Sequence, residues 1–351
     1  MITLMPAITP VLALRAQTTA AVAQNGSPDQ YTPGSASQRP VGYQQMLAAT
    51  QKQSAPAYTA QDVLGAVQKD DYAKLDQVMQ GMTGAQRLQA FADLRQNHKK
   101  DYQGFLADIR ANKVESQQAK VGVSLDLLKT TRWAQKGEGK DIVKHLESQY
   151  GKGFIHTPAD LGGPGSKVNL NPTLGAGMNG IKSDSILNLR ADVATSPEAA
   201  ASVLAHEGQH SWRASQGTMK RSLAEEVDAN TVQAQVWKEF GKEKYQSKGI
   251  SPATVRTMDS IAQQDTPTKM LNYVATRYTE DYASQGQTSA ARGVLADWGT
   301  AYLNQNQQPL KEMSTPDMER FLDTVKTLSG EKADVWGPVL QTELDRRSAR
   351  L

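Results

Sequence analysis

The stretch running from Ser196 through SPEAAASVLAHEGQH to His210 constrains the fold more than any other part of the chain. Thr195 and Ser196 supply a hydroxyl cap, Pro197 suits a first helical turn, and Glu198 is placed to reach back, so a helix starts here. Gly217 is a natural stop. Small residues at Ala199, Ala200, Ala201, Ala205 and Gly208 admit neighbours on several sides, which predicts a central helix. On that helix His206 and His210 stand four residues apart and face the same way. H-E-x-x-H is the spacing that presents two imidazoles to one metal ion with a carboxylate beside them. The chain has only five histidines in 351 residues, so two of them falling at this spacing by accident is a rare event.

A zinc site needs at least one further protein ligand, with the fourth position left to water. The segment 221–240 supplies a candidate. On a helical wheel Met219, Leu223, Val227, Ala234, Trp237 and Phe240 form one apolar arc, with Glu226 near its middle. Asp228 points away and Glu225 lies beyond the edge. An ionised carboxylate on a buried face is costly unless a cation meets it. If Gly217 pivots two antiparallel helices, equal residue counts on either side lie at similar heights. Position 208, midway between the histidines, precedes the pivot by nine residues and Glu226 follows it by nine. The hairpin therefore brings Glu226 level with both imidazoles. Asn230 lies one turn further along nearly the same line.

His206-Glu207-x-x-His210 followed by Glu226-Val227-Asp228-Ala229-Asn230 resembles the gluzincin, or thermolysin-like, zinc metallopeptidases, whose second helix carries a Glu-x-x-small-Asp pattern. The resemblance covers about 196–240 and the strand before it. It implies Zn²⁺ on His206, His210 and Glu226, with Asn230 where the family has an Asp that orients a histidine ligand. Asn is neutral and would raise imidazole basicity less. The 16 residues from His210 to Glu226 are also a shorter separation than in many members. In the implied zinc metalloendopeptidase the ion acidifies its bound water and polarises the scissile carbonyl. Glu207 acts as general base and passes the proton to the leaving amine. An edge strand before the helix, with Ser185–Arg190 as candidate, pairs with an extended peptide or protein substrate. Tyr278, from the LNYVATRYTEDYA segment, is the candidate oxyanion donor, although Tyr278 and Tyr282 also share a face with Leu271 and Val274 as ordinary core would.

The rest of the chain frames this site. Residues 16–57 are rich in Gln, Ser, Ala, Thr and Pro and cannot bury enough surface to offset ordering, and 1–57 as a whole reads as a flexible tail or a targeting or pro-segment. Residues 3–14 are mostly apolar and Ala21-Val22-Ala23 resembles a cleavage site. No basic residue precedes that run, however, and prolines interrupt it, which favours a cytoplasmic location over export. Residues 58–150 read as a helical accessory domain, opened by Thr59 with Asp62 and carried by Leu88, Phe91, Leu94, Phe105, Ile109, Val121, Leu125 and Leu128 at helical spacings.

From 151 to 193 Gly and Pro become frequent, and the short apolar runs GFIHT, KVNLN and SILNLRADV read as strands. Gly175–Gly180 fits G-x-G-x-x-G, but a strand follows it rather than a helix, and Asn179-Gly180 is a hairpin-turn signal. Beyond 195 the pattern is helical, with stops near Gly217, Gly241, Gly249 and Gly330. The expected class is α+β, predominantly α: a compact zincin-like core with a small antiparallel-edged β-sheet, flanked by N- and C-terminal helical regions. A metallopeptidase-like domain then spans 151–351, divided into sheet 151–193, zinc helices 196–241 and a C-terminal helical subdomain 250–351.

The 39 basic and 36 acidic side chains leave a net charge of +3, too small a field to recruit nucleic acid or anionic membrane. The absence of cysteine excludes disulfides, thiol nucleophiles and Cys-based zinc sites. No run of apolar residues is long enough to span a membrane. Two readings compete with hydrolysis: a buried polar helix contact without metal, and an inert zinc-bearing interaction or delivered-effector module that docks a partner through its N-terminal helices. His98 and His145 read as surface residues; His156 could also serve as the oxyanion donor, but a lone strand histidine is more often structural.

Overall fold

Helix α1 (Ala60–Gln68) opens as the Thr59–Asp62 pair requires, with the Asp62 carboxylate accepting the Thr59 N–H at 2.8 Å. The computed structural model describes residues 58–150, 155–156, 180–183, 186–189, 193, 195–220, 222–241, 252–284, 286–328 and 330–349. Five more helices complete the N-terminal region: α2 (Tyr72–Gly81), α3 (Gly84–Asn97), α4 (Lys99–Arg110), α5 (Gln117–Lys129) and α6 (Gly137–Gln149). The metal-motif helix α7 (Pro197–Ser215) and its partner α8 (Leu223–Phe240) come next. They are followed by α9 (Pro252–Ala262), α10 (Pro267–Ser284), α11 (Thr288–Asn304), α12 (Gln308–Glu312), α13 (Thr315–Thr327) and α14 (Glu331–Ser348). None of these is long and apolar enough to cross a membrane.

The α+β expectation is corrected. The fold is helical, with 81 % of the described residues in helices, and no sheet is shown as a layer of it. Among the described residues, strand pairing is confined to β1 (Ile155–His156), β2 (Gly180–Ser183) and β3 (Ile186–Leu189). The physical reason is where apolar surface is buried: the described cores are formed by helix side chains meeting each other. The peptide-binding edge expected over Ser185–Arg190 is corrected too, because β3 lies between β1, parallel, and β2, antiparallel. With β1 against Leu187 and Asn188 on one flank and β2 along the other, it is an inner strand rather than the expected edge. Gly180 begins β2 and pairs with Leu189, so it is strand rather than turn. The rest of the Gly175–Gly180 motif, the KVNLN run and residues 1–57 lie outside the described residues.

Among the described residues three clusters organise the core. Leu64, Leu75, Phe91, Phe105 and Ile109 anchor an N-terminal one, and Trp298, Phe321, Trp336 and Leu340 a C-terminal one. Between them a third is built around α7, and it draws on Leu125 and Leu128 of α5, Ile142 and Leu146 of α6, and Trp237 of α8. Every residue of α7 from Pro197 to Ser211 is buried, as the run of small residues demands of a central helix. Its neighbours are α5, α6 and α8. Gly208 is small for a specific reason: a Cβ there would sit 2.7 Å from Leu146 Cδ1 and 3.0 Å from Ile142 Cγ2.

The start of α7 departs from its expected cap. Ser196 makes no side-chain cap bond, and Glu198 pairs with Arg110 of α4 at 2.6 Å. Both side chains of that pair are almost fully buried, so it couples the first turn of α7 to the N-terminal helices. The far end follows the expected chemistry. Gly217 takes φ +68°, Gly217 N–H donates to the Ala214 carbonyl and Thr218 N–H to that of Arg213. This is a Schellman closure, which satisfies the last carbonyls and reverses the chain.

Candidate metal centre

The Gly217 reversal lays α8 alongside α7, and the register is the one equal residue counts require. Glu226 Oε2 lies 3.6 Å from His206 Nε2 and 3.4 Å from His210 Nε2, while the two imidazole Nε2 atoms are 3.3 Å apart. A tetrahedral ion with bonds of about 2.0–2.1 Å holds its donors about 3.3–3.4 Å from one another. The three atoms are therefore spaced as the edges of such a site before any ion is considered. Two imidazoles and one carboxylate, all at least partly buried, fit a divalent metal ion, and this triad could hold one.

Electrostatics point the same way. Burial, and then the charge of His210, hold His206 down to about 4, so its ring is neutral at pH 7. Burial would lower His210 as well, but the hydrogen bond and charge of Glu226, with help from Glu207 and Glu225, lift it to about 9. Glu226 is likewise opposed by burial, yet contact with His210 and His206 keeps it down to about 2. An anionic carboxylate thus stands against a pair of rings that share one proton, and a cation would replace that proton. His206 Nδ1 is buried without a hydrogen bond of good geometry, the Ala229 backbone and Gln233 side chain being its polar neighbours.

Glu207 is buried on the same turn, and its charge acts on both His210 and Tyr278. Tyr278 comes from α10, and its hydroxyl donates to Glu226 Oε2 at 2.7 Å. Burial, then the charge of Glu226, push its phenol well above the ordinary range, so the donor proton is retained. Tyr282 packs edge-on against it, with ring centroids 6.1 Å apart. Asn230 does not meet a histidine by any hydrogen bond in the structure; its amide donates to the Glu226 carbonyl at 2.8 Å and lies beside the Tyr278 hydroxyl.

The group facing the outer nitrogen of His210 is Glu225, whose Oε1 is 3.5 Å from Nδ1. The helical wheel had set Glu225 outside the apolar arc. A signal was present in Ser222-Leu223-Ala224-Glu225, a capping-box spacing that turns the third residue's carboxylate back toward the helix entry. That carboxylate does face back, accepting the Lys220 N–H at 2.7 Å. Asp228 is exposed and pairs with Arg213, as its outward position predicts. His145 is half-buried rather than superficial, with Nε2 2.8 Å from Ser211 Oγ, and His98 is half-buried at the junction of α3 and α4. The side chain of His156 lies outside the described residues.

Compared with known protein families, with curated proteins and with solved structures, the chain matches none.

Proposed function

We propose that the chain is a zinc-dependent endopeptidase of the gluzincin type, binding Zn²⁺ through His206, His210 and Glu226 and using Glu207 as general base. The observation that carries this reading is the convergence of three donors at tetrahedral spacing, with Glu207 beside the first of them and outside the ligand set. A divalent ion there supplies Lewis acidity to a scissile carbonyl and shifts the pKa of water toward neutrality.

The chain's own residues account for the remaining chemistry. Glu207 accepts the proton of the attacking water and delivers it to the leaving amine. Tyr278, kept protonated by burial and by Glu226, is a neutral O–H donor that can turn from Glu226 to an oxygen developing negative charge. The buried histidine pair lies in a low-dielectric setting where each of these charge interactions is stronger than in water. The substrate class is peptide or protein.

The test is a metal assay followed by hydrolysis of a generic unfolded protein. Wild type and Glu207→Gln are expected to retain one zinc per chain, with hydrolysis lowered about 10²–10⁴-fold in the variant. Zinc retained with no hydrolysis by either form refutes the enzyme reading and selects the second one, an inert metal-bearing interaction module. One observation favours that alternative: β3, where an extended peptide would have added, is already paired on both sides.

A further inference from the structure

Glu225 is a buried carboxylate beside the ligand set that takes no part in binding or hydrolysis as described above. Its side chain is 4 % exposed, and it sits in the first turn of α8, where the helix dipole favours negative charge. The two nitrogens of His210 face different partners. Nε2 turns inward to His206 and Glu226, and Nδ1 turns outward to Glu225 Oε1. An imidazole that binds metal through Nε2 carries its proton on Nδ1, and the acceptor of that proton fixes both tautomer and ring orientation. The other carboxylate oxygen of Glu225 accepts the Lys220 N–H, in the connection between α7 and α8.

We infer that Glu225 is the positioning residue of the metal centre: it holds His210 in the Nδ1–H tautomer and ties this ligand to the backbone of the α7–α8 connection. The inference rests on the metal reading proposed above. It also assigns to a residue immediately before the ligand Glu226 the orienting role that the family resemblance would give to Asn230. His206 differs: no carboxylate faces its Nδ1, whose polar neighbours are the Ala229 backbone and the Gln233 side chain.

The experiment uses the full chain loaded with Co²⁺, comparing wild type, Glu225→Gln, Glu225→Ala and Asp228→Asn. Affinity is read by chelator competition, and the imidazole N–H protons by their strongly shifted, solvent-exchangeable proton resonances. Glu225→Ala is expected to weaken binding about 10–100-fold and to move or abolish one exchangeable resonance. Glu225→Gln keeps a neutral acceptor and falls between Ala and wild type. Asp228→Asn, which removes an exposed carboxylate of the same helix, leaves both readouts unchanged.

If Glu225→Ala does not fold by circular dichroism, the isosteric Gln variant decides alone. Affinity within twofold of wild type, with unmoved resonances, overturns the inference. Wild-type protein that takes up neither Co²⁺ nor Zn²⁺ overturns the metal reading and this inference with it. Hydrolysis enters neither readout, so an inert but metal-binding protein still returns an answer.

Discussion

Gly208→Ala sets two well-defined effects against each other within the metal helix. Glycine inside a helix costs about 0.8–1.0 kcal/mol relative to alanine, so a reading of α7 in isolation expects the variant to be more stable. The structure reverses the sign. The new Cβ meets Leu146 Cδ1 at 2.7 Å, Ile142 Cγ2 at 3.0 Å and Leu146 Cγ at 3.1 Å. Leu146 and Ile142 are no more than 1 % exposed, and the β-branched Ile142 has little rotamer freedom with which to yield. Overpacking of this kind costs about 1–3 kcal/mol. Subtracting the propensity gain leaves a net loss of up to about 2 kcal/mol, each kilocalorie lowering the melting temperature by about 1–2 °C at an unfolding entropy of about 2.1 cal/mol/K per residue.

Relief requires α6 to retreat or α7 to turn, and a turn of α7 carries His206 and His210 with it, so zinc affinity should fall alongside stability. Thermal unfolding by circular dichroism in chelator gives the first quantity, and zinc competition the second. Gly293→Ala in α11, where an added Cβ meets nothing within 4 Å, is the control and should raise the melting temperature. A raised melting temperature for Gly208→Ala, with zinc affinity unchanged, would show that α6 does not press on the metal helix and would refute the packing argument.

Two further outcomes are expected. In chelator-treated protein His206 is held down, so its contribution is present above its ordinary 6.5 and lost as pH falls toward 4. His210 is held up, so its contribution is present below 6.5 and lost as pH rises through 9. The unfolding free energy of the metal-free protein, from denaturant titration, should therefore peak near pH 6.5 and fall on both sides by about 2–3 kcal/mol, with the alkaline fall absent once zinc holds both rings unprotonated; a flat profile from pH 5 to 8.5 contradicts this. Glu198→Gln should cost about 3–5 kcal/mol by leaving Arg110 buried without its counter-charge, whereas Arg110→Met combined with Glu198→Leu should recover most of that in urea unfolding; equal loss in the single and double variants would mean the ion pair is not the cause.

The parts of the site that were legible in sequence are those set by short-range geometry. An i, i+4 pair on one helix faces one way wherever that helix is placed. A glycine with φ +68° reverses the chain by local hydrogen bonds alone, and equal counts about that reversal put Glu226 beside both histidines. The outward position of Asp228 and the buried run of α7 follow from the same periodicity. The fold class was not legible, because a short apolar run such as SILNLRADV can form a strand, as β3 does, without telling that the described cores are built by helices. Glu225 was misplaced by a helical wheel that recognises one apolar face, whereas α8 packs against α7, α9 and α10 and so has more than one buried flank.

By itself, then, the chain determined a central helix closed at Gly217, two imidazoles on one face of it, a glycine pivot and a carboxylate brought level with them. Each of these depends on backbone geometry within a few turns. Tertiary structure alone decided that Tyr278 reaches Glu226 from 52 residues away, that Arg110 meets Glu198 across 88, and that Leu146 closes over Gly208. It also decided that β3 is an inner strand. Such contacts depend on how separate helices share one core, and no periodicity within a single element encodes the choice of neighbour.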